Sequence, residues 1–120
     1  VKKLFIRPSS SIKKALRQLE SSGEKCLIVV KNKDKLLGTI NDGDVRRAIL
    51  KGKSIKDTIA NIYEKNPIFL KNGRYSQTEV KDLFVKNKTN VIPVVDNSKK
   101  IVNLMLFSNL FKKNNNIKKQ

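Results

Sequence analysis

Cys26-Leu27-Ile28-Val29-Val30 and Val91-Ile92-Pro93-Val94-Val95 are apolar runs 65 residues apart, and the segments around them follow one order in one register. A repeat at that period in a chain of 120 residues leaves few folds open. Each copy mixes helix and strand, and a unit of about 60 residues is too small to bury a comfortable core by itself. The two copies are therefore expected to pack sheet to sheet about a pseudo-two-fold axis, as an α+β fold.

In the first copy, residues 1–60, Leu4-Phe5-Ile6 is a short extended run stopped by Pro8. The serines at 9 to 11 cap a helix whose apolar positions Ile12, Ala15, Leu16 and Leu19 recur at helical spacing, and Gly23 ends it. A buried strand over 26–30, a polar turn over 31–35, a second strand over 36–40 and a helix from about Asp42 to Leu50, closed by Gly52, complete the unit. In the second copy, residues 61–111, Pro67 to Leu70 is the opening strand and Ser76 caps a helix with Val80, Leu83 and Phe84 inward. Val91 to Val95 is the buried strand, Asp96 to Lys100 the turn, Ile101 to Leu106 the next strand, and Ser108 begins a short helix. Between the copies, Ser54 to Tyr63 reads as a connecting helix with Ile55, Ile59 and Ile62 on one side. Residues 112–120, with three asparagines among lysines, read as a basic polar tail or linker to a further domain.

Charge enters next, because 27 lysines and arginines against 10 acidic residues give a net +17. A basic surface attracts phosphate backbones, yet 22 of these cations are lysines spread over every helix and turn, and the aromatics are not interleaved with them. Nucleic acid is disfavoured as the partner. With no histidine and one cysteine, most zinc sites, histidine bases and cysteine–histidine dyads are removed, so no catalytic residue, metal site or required cofactor is expected. The longest apolar stretches fall far short of a membrane span, and a lone Cys26 inside an apolar run fits a reducing cytoplasm.

The run Gly38-Thr39-Ile40-Asn41-Asp42-Gly43-Asp44-Val45-Arg46-Arg47 joins a strand to a helix through small and acidic residues. A helix start carries unpaired N–H groups and positive partial charge that suit a phosphate, an Asp one turn inside suits a ribose diol, and Gly43 permits close approach to the backbone. The same residues also read as a strand, a turn capped by Asn41 or Asp42, and a surface helix with no ligand. At the offset of 65, Gly38 falls on Asn103, Asn41 on Leu106 and Asp44 on Asn109.

The doubled strand-helix-strand-strand-helix unit, with Val91 to Asp96 and Gly38 to Arg47, resembles a pair of cystathionine-beta-synthase (CBS) domains, or Bateman module, over residues 1 to about 111. The resemblance implies a non-catalytic regulatory sensor that binds AMP, ADP, ATP or a related nucleotide in clefts between its two motifs, and that often dimerises. The family pattern of Gly, two apolar positions, Thr or Ser, two variable positions and Asp falls on Gly38, Asn41 and Asp44. By that resemblance Asp44 holds the ribose hydroxyls, and Asn41 takes the place of the residue that meets the phosphate. Lys25, Cys26, Asn90, Val91, Ile92 and Pro93 line the base pocket, while Asp42, Arg46 and Arg47 complete the ligand-binding set. Arg46 and Arg47 also read as a solvated helix face. Leu106 and Asn109 in the second motif make that junction a poor site.

The wording Asp42 to Gly52 is similar to the module preceding a mannose-1-phosphate-guanylyltransferase-like nucleotidyltransferase, and to the module following the isomerase domain of arabinose-5-phosphate isomerase. A start close to the first strand and a polar end favour the former, with the catalytic domain attached after residue 120. The competing expectation is a degenerate scaffold that dimerises the attached enzyme without a ligand.

Overall fold

A computed structural model describes residues 2–110, so the expected tail over 112–120 lies outside the described residues. The first half consists of β1 (Phe5–Ile6), α1 (Ile12–Ser22), β2 (Cys26–Lys31), β3 (Lys35–Asn41) and α2 (Asp42–Leu50). The second consists of β4 (Leu70–Lys71), α3 (Gln77–Asn87), β5 (Val91–Val95) and β6 (Ile101–Leu106), after which residues 107–110 are helical. Two three-stranded sheets result, ordered β1-β2-β3 and β4-β5-β6, each with a parallel and an antiparallel pair.

The repeat holds at the level of single pairs. Cys26 faces Asn41 as Val91 faces Leu106, and Val29 faces Gly38 as Val94 faces Asn103. Both hairpins shift register at the same place, after Val29 and after Val94. The Ser11 hydroxyl accepts the Lys14 N–H at 3.0 Å, and Ser76 accepts that of Glu79 at 3.2 Å, so each copy starts its helix with the same cap. The helices also stop alike: Gly23 has φ 73°, and Lys88, its counterpart, takes the left-handed region at φ 51° despite its Cβ.

Burial explains why the halves stay together. Both faces of β2 are covered, and Val91, Val95, Ile101 and Leu104 of the second half join the main core of the first. The second half keeps only a smaller cluster of its own, Leu70, Val80, Phe84, Ile92 and Val94, with Phe107 edge-on to Phe84 at 5.6 Å. Each half completes its core with the other's strands.

Three local expectations are corrected. Residues 54–63 form turns and not a helix, because their backbone groups bond elsewhere: Asp57 and Ile55 carbonyls accept the Ile12 and Lys13 N–H groups, and the Ile59 N–H donates to Ser10. The segment thus satisfies the orphan donors at the start of α1. Ile59 is fully buried, Ile62 packs on the core and Ile55 is exposed. The opening strand of the second copy shrinks to Leu70–Lys71, since Pro67 has no N–H to give a ladder. Finally, Leu16 lies 38% exposed at the rim of α1 while Ile12, Ala15 and Leu19 go inward.

Candidate functional site

β3 delivers the chain to α2 at Asn41, and the first turn of that helix is built by a reciprocal cap. The Asn41 Oδ1 accepts the Asp44 N–H at 2.7 Å, and the Asp44 Oδ2 accepts the Asn41 N–H at 3.0 Å. The other Asp44 oxygen receives Arg47 at 2.8 Å, one turn along, where Arg47 is 62% exposed and Asp44 only 19%. Asp42 accepts the Gly43 N–H and lies 3.9 Å from Arg46. Gly43 sits close to its neighbours: a Cβ there would press on the Arg47 guanidinium at 3.1 Å and the Asn41 oxygen at 3.2 Å, each of which would have to give by a few tenths of an ångström.

This helix start opens onto a cleft of about 520 Å³ between the two halves, within the range of small-molecule sites. Of the residues expected from sequence, Lys25, Cys26, Asn41, Asp42, Asp44, Arg47, Asn90 and Val91 line it. Lys25-Cys26 and Asn90-Val91 are counterparts at the offset of 65, so the cleft straddles the pseudo-dyad. Gly38, Arg46, Ile92 and Pro93 are not part of its wall. Ile92 is fully buried in the second cluster, Pro93 is buried in β5, and Arg46 turns to Asp42. Gly38 serves packing: a Cβ there would strike the Glu64 carbonyl and come 2.6 Å from the Tyr63 ring.

The linker supplies what sequence reasoning missed. Glu64, Asn66, Pro67 and Ile68 close one side of the cleft, and Asn87, Lys88 and Thr89 close another, with Thr39 beside them. Reading 54–63 as a helix hid the first group, because it concealed the bridge in which the Glu64 and Thr39 backbones exchange hydrogen bonds of 2.8 and 3.1 Å. A signal for the second was available: Lys88 falls on the helix-ending Gly23 at the repeat offset.

Electrostatically the cleft is balanced, with Lys25, Arg47 and Lys88 against Asp42, Asp44 and Glu64. Burial pushes the Cys26 thiol up to about 12, and the negative charge of Asp44 pushes in the same direction. Cys26 is therefore a neutral wall and not a nucleophile. Among the described residues no group of three or more metal-ligating His, Cys, Asp or Glu side chains occurs, and no helix is long and apolar enough to cross a membrane.

The second junction differs chemically from the first. The Phe107 N–H donates to the Asn90 carbonyl as the Asp42 N–H donates to Lys25, so the backbones match. Leu106 packs on the main core and Phe107 on Phe84 where the first copy presents Asn41 and Asp42. Its polar groups are replaced by apolar packing.

Comparison with known proteins agrees with this architecture. Residues 1–51 match the family model for the CBS domain. The plant CBS-pair protein CBSX2 from Arabidopsis thaliana, solved in complex with AMP, superposes with a TM-score of 0.78 at 20% identity, covering 95% of this chain and 88% of that one. The CBS domain pair of protein MJ0100, in complex with 5-methylthioadenosine and S-adenosyl-L-methionine, gives 0.77 at 22% identity, covering 93% and 87%. The fold is that of a tandem CBS pair. A Helicobacter pylori protein described as uncharacterized is 31% identical over 101 residues, 84% of this chain but 31% of its own length. The chain thus spans about a third of that relative.

Proposed function

We propose that this chain is a regulatory module that binds an adenine nucleotide in the cleft between its two motifs and reports occupancy to a catalytic domain in the same protein. The observation that carries this reading is the start of α2 opening between the halves, with Asn41 and Asp44 on the cleft wall. In this reading Asp44 accepts ribose hydroxyls on the lone pairs left by its Asn41 and Arg47 partners, and the Asn41 amide N–H₂ meets the phosphate. Support comes from the AMP and S-adenosyl-L-methionine complexes of the structurally similar CBS pairs. Lys25, Cys26, Asn90 and Val91 border the base, and Asp42 and Arg47 flank the ribose and phosphate. A ligand touching both halves favours one relative arrangement of them, which is what an attached enzyme can feel. The sequence likeness between Asp42 and Gly52 favours a sugar-phosphate nucleotidyltransferase as that enzyme, in a cytoplasmic homodimer formed through exposed helix faces such as the one bearing Ile49 and Leu50.

Unfolding the protein with AMP, ADP, ATP or GTP present tests the reading. At 100 times the dissociation constant a specific ligand adds roughly 2.7 kcal/mol of stability. Absence of a shift with every nucleotide overturns it. A scaffold without ligand has one observation in its favour, that both Asp44 oxygens already hold protein partners. That reading fails if Asp44→Ala abolishes a measured nucleotide affinity.

A further inference from the structure

A second cleft of about 300 Å³ adjoins the first and shares two residues with it, Asp44 and Arg47. Its remaining wall is Ala48 of α2, Lys51 and Lys53 from the turn that follows α2, and Asn61 and Ile62 of the linker. The two clefts differ in charge. The first balances three cations with three carboxylates, whereas the second sets Arg47, Lys51 and Lys53 against Asp44 alone. That carboxylate is already engaged by the Asn41 N–H and by Arg47. Among the described residues neither Lys51 nor Lys53 has an ion-pair partner. Their backbone N–H groups bond to Arg47 and Ala48 carbonyls, which fixes where the two side chains emerge.

Resting on the nucleotide reading above, we infer that the second cleft is a polyphosphate groove and that the ligand class is a nucleoside 5′-diphosphate or triphosphate in preference to a monophosphate. A neutral base and ribose suit the charge-balanced cleft. The α-phosphate then lies near the shared wall at Arg47, whose guanidinium offers further donors while one holds Asp44. The β- and γ-phosphates follow into the space where Lys51 and Lys53 are unopposed. Both lysines are exposed, so their effect is Coulombic attraction with partial hydrogen bonding and weakens with salt.

Calorimetric titration at near-physiological salt with adenosine, AMP, ADP and ATP, and with inorganic triphosphate as the phosphate-only probe, tests this. Affinity is expected to rise from AMP to ADP to ATP. The double variant Lys51→Ala/Lys53→Ala is expected to weaken ATP by about tenfold, in the range that two exposed ion pairs supply, with AMP almost unchanged. Lys13→Ala/Lys14→Ala, which removes equal charge from the exposed face of α1, serves as the control. Equal loss of ATP affinity in both double variants reveals long-range attraction by a basic protein and overturns the groove. AMP binding as tight as ATP overturns it while leaving the nucleotide reading intact. Tight inorganic triphosphate binding without any binding of adenosine or AMP removes the nucleotide reading. If no nucleotide binds at all, both fall.

Discussion

Lys35 and Lys100, residues 65 apart and equivalent in the two copies, face each other in an antiparallel bridge, and beside them the Leu36 N–H donates to the Lys99 carbonyl at 2.9 Å. The pseudo-dyad therefore passes between two like charges. Cross-strand ammonium groups repel, and reversing one turns repulsion into attraction. Lys35→Glu, which leaves the attraction between Lys100 and Asp96 in place, is expected to raise unfolding free energy by about 0.5 kcal/mol, an effect that fades in high salt. Urea titrations at low and high ionic strength measure it, and an unchanged or lower stability at low salt contradicts it.

Gly38 and Asn103 occupy equivalent positions but have opposite tolerances. A methyl group at 38 collides with the linker backbone, so Gly38→Ala is expected to cost about 1–3 kcal/mol, as overpacking does. Asn103→Ala loses one hydrogen bond, from the Leu104 N–H to its own side-chain oxygen at 2.8 Å, and is expected to cost about 1 kcal/mol. Chemical denaturation that ranked the two in reverse order would speak against the close packing of residues 63–64 on β3.

Asp44 carries a structural duty whatever it binds. Asp44→Ala opens the reciprocal cap with Asn41 and releases Arg47, so a loss of about 1 kcal/mol is expected without any nucleotide. Unfolding of the ligand-free variant checks this. A ligand effect must then be read from affinity and not from melting temperature.

The Cys26 thiol is held protonated up to about 12, against 9.0 for a free thiol. Its contribution to stability is complete below pH 9, where folded and unfolded states are both neutral, and is lost as pH rises from about 9 to about 12. Cys26→Ala is therefore expected to show a shallower decline across that window than the parent protein. Alkylation of native protein at pH 8 should proceed no faster than global unfolding permits, and rapid labelling would show that the thiol is not enclosed.

Asp96 illustrates the opposite sign. Its Oδ1 accepts the Ser98 hydroxyl at 2.8 Å and the Ser98 and Lys100 N–H groups at 2.9 and 3.0 Å, which together hold its carboxyl below the usual range. The hydrogen bond from the Ser98 hydroxyl is the largest cause. The associated stability is present above the ordinary carboxylate value and disappears as pH falls through the lowered one. Asp96→Ala should flatten the acid limb of the stability profile, and a limb as steep as the parent's would contradict the role of this turn.

Much of the molecule was legible because the repeat fixes register as well as content. The serine caps, Gly23 and the apolar runs each announce themselves through local chemistry, and β2 and β3 exceed the expected 26–30 and 36–40 by only one residue at an end. The register shifts after Val29 and Val94 had no such signal. Asn41 was readable as one of two candidate caps beside Asp42, whereas its reciprocal partner Asp44 emerged only with the structure. The linker was not legible. Ile55, Ile59 and Ile62 carry a helical spacing, but the backbone groups of that segment are claimed by α1 and β3, and no local pattern in the sequence reports a hydrogen bond made to a distant element. Glu64, Asn66 and Ile68 were lost from the site with it.

The two sheets finish their outer edges by different means. On β3 the N–H of Thr39 is taken by the backbone of Glu64, and on β6 the N–H of the equivalent Leu104 is taken by the Asn103 amide oxygen. One side chain thus stands in for a neighbouring strand. An amide carbonyl is the same acceptor in either setting, but the side chain can swing aside where the linker cannot. The β6 edge is in effect latched, and Asn103→Gly removes the latch, leaving a bare ladder of the kind onto which foreign strands add and from which aggregates grow.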